Sequence, residues 1–199
     1  MKELHKQALI KIFAEMISIV VAVLFALWAN NWWAEVQRDQ EVEVLTKAII
    51  GELEEDLIKL EQAHLHHSSQ LSVITQQRQL KTNFSEADYQ SLNEQLYRKG
   101  VYQPADLDFT YWEILMDKGL IAELSNEQLR LIKPAYKVMK RYQTTWQTIA
   151  ANAVNMPIFN ASEQDKLETT DKSISQIWWA EKLAIKKIQT ALKTLNNAH

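Results

Sequence analysis

Outside the longest apolar stretch of the chain, His64 and His67 have the residue type and spacing that most suggest chemistry. They lie one helical turn apart within a run of apolar residues. Three interpretations remain open. A polar layer between packed helices can fix their register, and imidazole gains a proton near pH 6.5, which would make the layer sensitive to pH. A metal site could use His66 or Glu61 as well, but zinc requires three or four ligands.

No sequence motif for catalysis is present. The chain contains no phosphate-binding glycine loop, no H-E-x-x-H and no G-x-S-x-G. Ser68 and Ser69 follow the histidines, but adjacency on one helix does not orient a nucleophile towards its base. The acids Glu54, Glu55 and Asp56 have the density of a solvated helix face. We therefore expect no enzyme, no cofactor, no resident metal and no small-molecule substrate.

The composition predicts a helical protein. The 199 residues include only three glycines and three prolines, too few for a sheet protein rich in turns. The length suits one compact domain with an appendage. A net charge of −3 without long basic runs argues against nucleic-acid binding, and the absence of cysteine excludes disulfides and thiolate chemistry.

The segment from residue 16 to residue 34 contains no charge and consists mostly of Ile, Val, Leu, Phe and Ala. As a helix it spans roughly 28 Å, close to the thickness of the hydrocarbon core. A cleaved signal peptide is the alternative, but the segment ends in tryptophans rather than at a small-residue cleavage site. Trp28, Trp32 and Trp33 suit an interfacial belt. The sequence therefore predicts an uncleaved transmembrane helix at 16–34.

The basic residues near this segment predict its orientation. Lys2, Lys6 and Lys11 precede it, whereas only Arg38 and Lys47 follow closely. This bias places residues 1–15 in the cytoplasm and the rest of the chain outside. No later stretch is long and apolar enough to cross, so we expect a single pass.

Small or polar residues recur at every fourth position of the predicted span. Such a row lets the backbone of a second helix approach closely, although alanine is common in membrane helices for other reasons. Lys11 and Glu15 lie at the cytoplasmic edge, where Glu15 either pairs with Lys11 or contacts a partner helix. The predicted contact residues are Ala14, Ser18, Ala22, Ala26 and Asn30.

This region resembles an uncharacterised bacterial family of single-span inner-membrane proteins. The residues that match the N-terminal signature of the family are Glu15, Ala26, Leu27, Asn30, Asn31 and Trp32. A second, looser match comprises Tyr111, Leu115, Gly119, Ile121, Asn126 and Leu129. The resemblance implies a bacterial inner membrane with the C-terminal domain in the periplasm. It implies no activity.

The elements outside the membrane are predicted to be helices. No helix stop follows the span, so one helix from about Glu3 to Leu80 is expected, with residues 35–80 as a juxtamembrane stalk. Capping signals at Ser85 and Ser125 begin two further helices, and Gly119 ends a short one. The last helix is predicted from about Lys172 to Leu195. The stalk has an apolar seam with heptad spacing: Ile50, Leu53, Leu57, Leu60, His64, His67, Leu71 and Ile74.

Charge favours packing of the last helix on the stalk. Residues 35–61 contain nine acidic and three basic residues, whereas residues 172–193 contain five lysines and one glutamate. Two independently solvated faces are the alternative, because each surface pair contributes little. The predicted fold class is all-α, with the helices of residues 81–199 forming a bundle on the stalk.

Two functions are compatible with this architecture. The first is an interaction protein, an oligomeric scaffold or accessory subunit of an envelope complex, whose partners are the bilayer and a second copy or another membrane protein. The second is a sensor whose external bundle responds to a ligand or to pH. We prefer the first because no output domain is visible in the sequence.

Overall fold

The computed structural model describes the backbone of residues 2–80, 85–97, 103–155 and 162–197. These residues form five α-helices and one 3-10 turn, without a strand. The helices are α1 (Lys2–Leu80), α2 (Glu86–Tyr97), α3 (Thr110–Asp117), α4 (Asn126–Asn155) and α5 (Glu163–Asn197), with the 3-10 turn at Leu120–Glu123. The all-α prediction is therefore confirmed for the described residues.

The chain divides into two compact units, residues 1–45 and 46–199. In the first unit, the apolar side chains of α1 are exposed on every side from Phe13 to Trp33. Among the described residues, this N-terminal helix alone is long and apolar enough to cross a membrane, and none of its apolar window is buried. A signal sequence has the same length and composition, so the structure establishes a candidate span.

In the second unit, one face of α1 is buried. The heptad seam predicted from the sequence is half correct: Leu53, Leu60, His67 and Ile74 are buried, whereas the alternate positions are only partly covered. The fully covered stripe instead continues through Asp56, Ala63 and Gln70. The buried face of α1 therefore includes small and polar residues that lie three or four positions from the buried heptad residues, on the same side of the helix.

Side-chain contacts pair α1 with α5 in antiparallel directions. Arg78 bonds Asp171 at 2.6 Å near one end, and Gln189 donates to Glu61 at 3.0 Å further along. Beside them, α2 closes an apolar cluster with both helices, made of Ile74, Leu92, Leu96, Leu167 and Ile174. α4 packs along α5.

Local capping explains where three helices begin. Ser85 accepts the N–H of Asp88 at 3.3 Å, and Asp88 accepts the N–H of Ser85 at 3.1 Å, so the predicted capping box is present. Ser125 and Gln128 make the same exchange before α4. Gly119 has φ 68°, the left-handed conformation that ends α3 as predicted.

The start of the last helix was predicted wrongly. α5 begins at Glu163 and not at Lys172. Ser162 caps it by accepting the N–H of Asp165 at 3.1 Å. The first turns look polar in sequence, but their one aliphatic residue, Leu167, is fully buried in the cluster with α1 and α2. Burial of Leu167, together with the cap at Ser162 and the Arg78–Asp171 contact, stabilises these turns.

Candidate functional site

The two histidines meet a carboxylate that the sequence did not assign to them. His67 on α1 and Glu181 on α5 are both completely buried, and His67 Nδ1 lies 2.8 Å from Glu181 Oε1. His64 Nδ1 lies 3.6 Å from the other oxygen of the same carboxylate, beyond hydrogen-bond distance but within ion-pair range. We call His64, His67 and Glu181 the histidine–glutamate cluster.

The antiparallel pairing of α1 and α5 forms this cluster. His64 and His67 are three residues apart and therefore share one face of α1. Glu181 occupies a position of α5 where the surrounding spacing predicts an apolar residue, and nothing near it in the sequence indicates its partner. Since 114 residues separate His67 from Glu181, only the tertiary fold brings them together.

Aromatic rings cover the cluster. The Trp178 indole stacks on the His64 ring with centroids 5.0 Å apart, and its Nε1 donates to Ser68 Oγ at 2.7 Å. Lys182 Nζ lies 4.8 Å from the centroid of Trp178. This cover leaves His64 only 22% exposed. Water has little access to the carboxylate, so electrostatic contacts within the cluster are stronger than at the surface.

Three polar atoms of the cluster lack a hydrogen-bond partner in the described part of the chain: His64 Nδ1, His67 Nε2 and Glu181 Oε2. A buried polar group without a partner typically costs about 1–3 kcal/mol. The Glu181 carboxylate thus bonds one imidazole closely and has an oxygen available for a second.

Metal binding has no support in this geometry. Across the described ranges, no group of three or more His, Cys, Asp or Glu side chains is arranged to hold a metal ion. The close approach of His67 Nδ1 to the carboxylate is the distance of a hydrogen bond, not of two ligands that share an ion.

A second buried polar cluster lies on α1 on the N-terminal side of His64, and it was not predicted from the sequence. Asp56 is completely buried and was wrongly assigned to a solvated face. Its carboxylate accepts the N–H of Asp108 at 3.0 Å and bonds Lys59 Nζ at 3.0 Å. Glu52 accepts the N–H of Tyr111 at 3.0 Å and the hydroxyl of Tyr136.

Burial changes the acidity of this second cluster. It raises the pKa of Asp56 to about 6, because the hydrogen bonds and the nearby Lys59 only partly offset the loss of solvation. The pKa of Glu52 is raised for the same reason. The two acids anchor the segment around Asp108 and the first turn of α3, a structural role. The signal for Asp56 was its spacing of three and four residues from Leu53 and Leu60.

Two tyrosines of α4 contact the segment before α3 and α3 itself. Tyr142 is buried, and its hydroxyl accepts the N–H of Ala105 at 2.7 Å. Burial raises the pKa of Tyr142, and the charge of Glu181 adds to the shift. Tyr136 stacks on Trp112 with centroids 4.9 Å apart. Tyr136 and Tyr142 therefore belong to the buried core.

The predicted residues of the apolar segment lie apart from both clusters in sequence and are open to solvent. Ser18, Ala22, Ala26, Asn30 and Glu15 are exposed. The side chains of Lys11 and Ala14 lie outside the described residues. The tryptophans of the predicted belt, Trp28, Trp32 and Trp33, are 55–60% exposed. The rings of Trp28 and Trp32 stack with their centroids 6.3 Å apart.

Comparison with known proteins adds no assignment. No protein-family model, curated protein or solved structure matches the chain.

Proposed function

We propose that this chain is a membrane-anchored helical interaction protein, an oligomeric scaffold or an accessory subunit of a membrane complex. The observation that supports this most is the apolar segment of α1, whose large side chains are exposed from Phe13 to Trp33. Soluble monomers rarely expose an apolar surface of this extent. In the hydrocarbon core of a bilayer these side chains avoid contact with water, and an α-helix makes all its backbone hydrogen bonds internally.

In this proposal residues 16–34 cross a bacterial inner membrane once. Residues 1–15 lie in the cytoplasm, residues 35–80 form a stalk, and residues 81–199 pack on the stalk as a periplasmic bundle. The row that includes Ser18, Ala22, Ala26 and Asn30 contacts a second helix, from another copy or from a partner.

Interaction is favoured over catalysis because the buried polar groups serve helix–helix contacts. His67 and Glu181 connect α1 to α5, and Glu52 connects α1 to α3 and α4. These contacts fix which face of each helix is buried. The described polar groups therefore hold the helices of this chain together, which leaves them with a structural role and not a catalytic one.

A second candidate function is a sensor subunit that responds to pH. The observation that favours it is the histidine–glutamate cluster, where proton uptake by an imidazole changes the charge of a buried contact between α1 and α5. Such a subunit would pass its signal through a partner membrane protein.

The anchor is tested by fractionation. The double substitution Val21→Lys with Leu24→Lys should release the chain from washed membranes, because each charge costs about 2.5–3.5 kcal/mol at the centre of a span. Lysines at Val44 and Ile58, which are also exposed on α1, form the matched control and should leave it membrane-bound. A mature chain whose N-terminus follows residue 34 would refute the anchor in favour of a signal peptide.

The interaction is tested by the mass of the assembly, extracted in mild detergent from its own membranes by a C-terminal tag. Several copies of this chain alone would identify a scaffold, and a stoichiometric second protein would identify an accessory subunit. Ala22→Leu with Ala26→Leu should reduce that mass by blocking close approach. A wild-type monomer would refute both forms of the proposal. A reporter fused after His199 should be active outside the cytoplasm.

A further inference from the structure

A groove of about 850 Å³ lies between α4 and α5, on residues that neither polar cluster uses for its contacts, apart from Tyr142. It extends from Val138 to Asn152 on α4 and from Lys172 to Leu183 on α5. This volume is within the roughly 300–1,000 Å³ range of small-molecule sites. The groove is large enough for a ligand with a headgroup and a short hydrocarbon chain.

The charge of the groove is entirely positive. Arg141 and Lys172 line it, and no aspartate or glutamate does, although acids outnumber bases in the whole chain. Both cations are exposed, and neither forms an ion pair with a carboxylate of the described residues. An arginine with free donors recognises carboxylate or phosphate through charge-assisted hydrogen bonds. The groove therefore complements an anion.

The hydroxyl groups of the groove do not supply further donors on α4. Thr144, Thr145 and Thr148 each donate to the carbonyl of the residue four positions earlier. Their protons are thus already used by the helix. Asn152, Ser175 and Gln176 are further polar side chains of the lining, but Arg141 and Lys172 are its charged donors, so these two residues are the direct test of anion binding.

Apart from the polar Asn152, Ser175 and Gln176, the rest of the lining is mainly apolar. Trp179 is 61% exposed and Leu183 is 38% exposed, whereas Tyr142 and Ile149 are buried. The exposed indole and the aliphatic side chain beside it form an apolar surface on which a hydrocarbon chain can pack. Lys182 Nζ lies 5.0 Å from the Trp179 ring centroid, which adds a third positive charge at this end.

We propose that this groove binds a single-chain anionic amphiphile, a molecule with one hydrocarbon chain and a carboxylate or phosphate headgroup. The headgroup bonds Arg141 and Lys172, and the chain covers Trp179 and Leu183. The proposal does not depend on the membrane anchor, because it requires only α4 and α5. It also supplies a ligand class for an external helical unit.

The test uses the full chain in nanodiscs of zwitterionic lipid, titrated with octyl phosphate while tryptophan fluorescence is followed. We expect saturable binding with one ligand per chain. Octanol should bind at least tenfold more weakly, since it lacks the charge. Inorganic phosphate should give no signal at the same concentrations, since it lacks the hydrocarbon chain.

Matched variants separate the groove from general charge. Arg141→Gln with Lys172→Gln should weaken octyl phosphate at least tenfold. Arg130→Gln with Lys193→Gln removes the same charge from exposed positions of the same two helices outside the groove and should change affinity less than twofold. Equal weakening by both pairs would overturn the proposal, because binding would then follow net charge.

Trp179→Ser provides an independent arm, because its side chain is exposed and its loss should leave the fold intact. It should weaken octyl phosphate at least fivefold without changing the mass of the assembly. A groove covered by a second copy would show no saturable binding, and Trp179→Ser would then lower the mass. That outcome would also overturn the proposal.

Discussion

Asp56 should make the protein more stable as the pH falls, the reverse of the usual response of ion-paired carboxylates. Its side chain is fully buried, and burial raises its pKa from 3.8 to about 6. The folded chain therefore binds this proton more tightly than the unfolded chain does. The contribution of Asp56 to stability is fully present below its pKa in the unfolded chain and is lost as the pH rises through its pKa in the folded chain.

The magnitude follows from the two pKa values. With a pKa of 3.8 in the unfolded chain and about 6 in the folded chain, the free energy of unfolding should fall by about 2 kcal/mol between pH 4.5 and pH 7.5. For a chain of this size that corresponds to roughly 4–8 °C in Tm. Among the groups that face Asp56, the raised pKa of Glu52 acts with the same sign, and the lowered pKa of Asp108 acts oppositely below about pH 4.

The perturbation is Asp56→Asn, which keeps an oxygen for the N–H of Asp108 but cannot titrate. Tm is measured by tryptophan fluorescence for the full chain in detergent at both pH values. The Tm of wild type should fall by about 4–8 °C relative to the variant between pH 4.5 and pH 7.5. Glu55→Gln, an exposed neighbour, is the control and should track wild type.

A constant difference between wild type and Asp56→Asn at the two pH values would refute the reasoning. The result also matters for the sensor hypothesis. Because Asp56 itself makes stability depend on pH, a pH response of wild type alone does not identify His64 and His67 as its source. Those histidines should be replaced in the Asp56→Asn background.

The remaining predictions concern helix contacts and backbone conformation. His67→Leu and Glu181→Leu should each lower stability by about 3–5 kcal/mol, because each leaves a buried polar partner, whereas the double variant should cost clearly less than their sum; additive losses in denaturant titrations would disprove the coupling. Gly119→Ala should destabilise by about 1 kcal/mol, because φ is 68° there. Gly51→Ala, in mid-helix and with equally open space around a new Cβ, should stabilise by about 0.5–1 kcal/mol; equal changes in Tm for the two glycines would contradict this.

Local signals in the sequence were sufficient for most helix boundaries. The capping boxes at Ser85 and Ser125 and the stop at Gly119 each depend on residues within four positions of one another. The length of α1 followed from the absence of any stop before Leu80. Such features can be predicted because their energies arise within one turn of helix.

The partners of buried polar residues could not be predicted in the same way. Periodicity placed His64 and His67 on one side of α1, but nothing local indicates that Glu181 is opposite. Asp56 belongs to a run of acids, and burial of one member depends on the N–H of Asp108 across a loop. These assignments require the tertiary arrangement, as did the early start of α5, which depends on the burial of Leu167.

The separation between His67 and Glu181 has a consequence for biosynthesis. At about 5–20 residues per second, a ribosome needs roughly 6–23 s to add the 114 residues between them. Until α5 is made, His67 and Ile74 of α1 lack their contacts with that helix, and a ribosome pause before α5 would prolong this state.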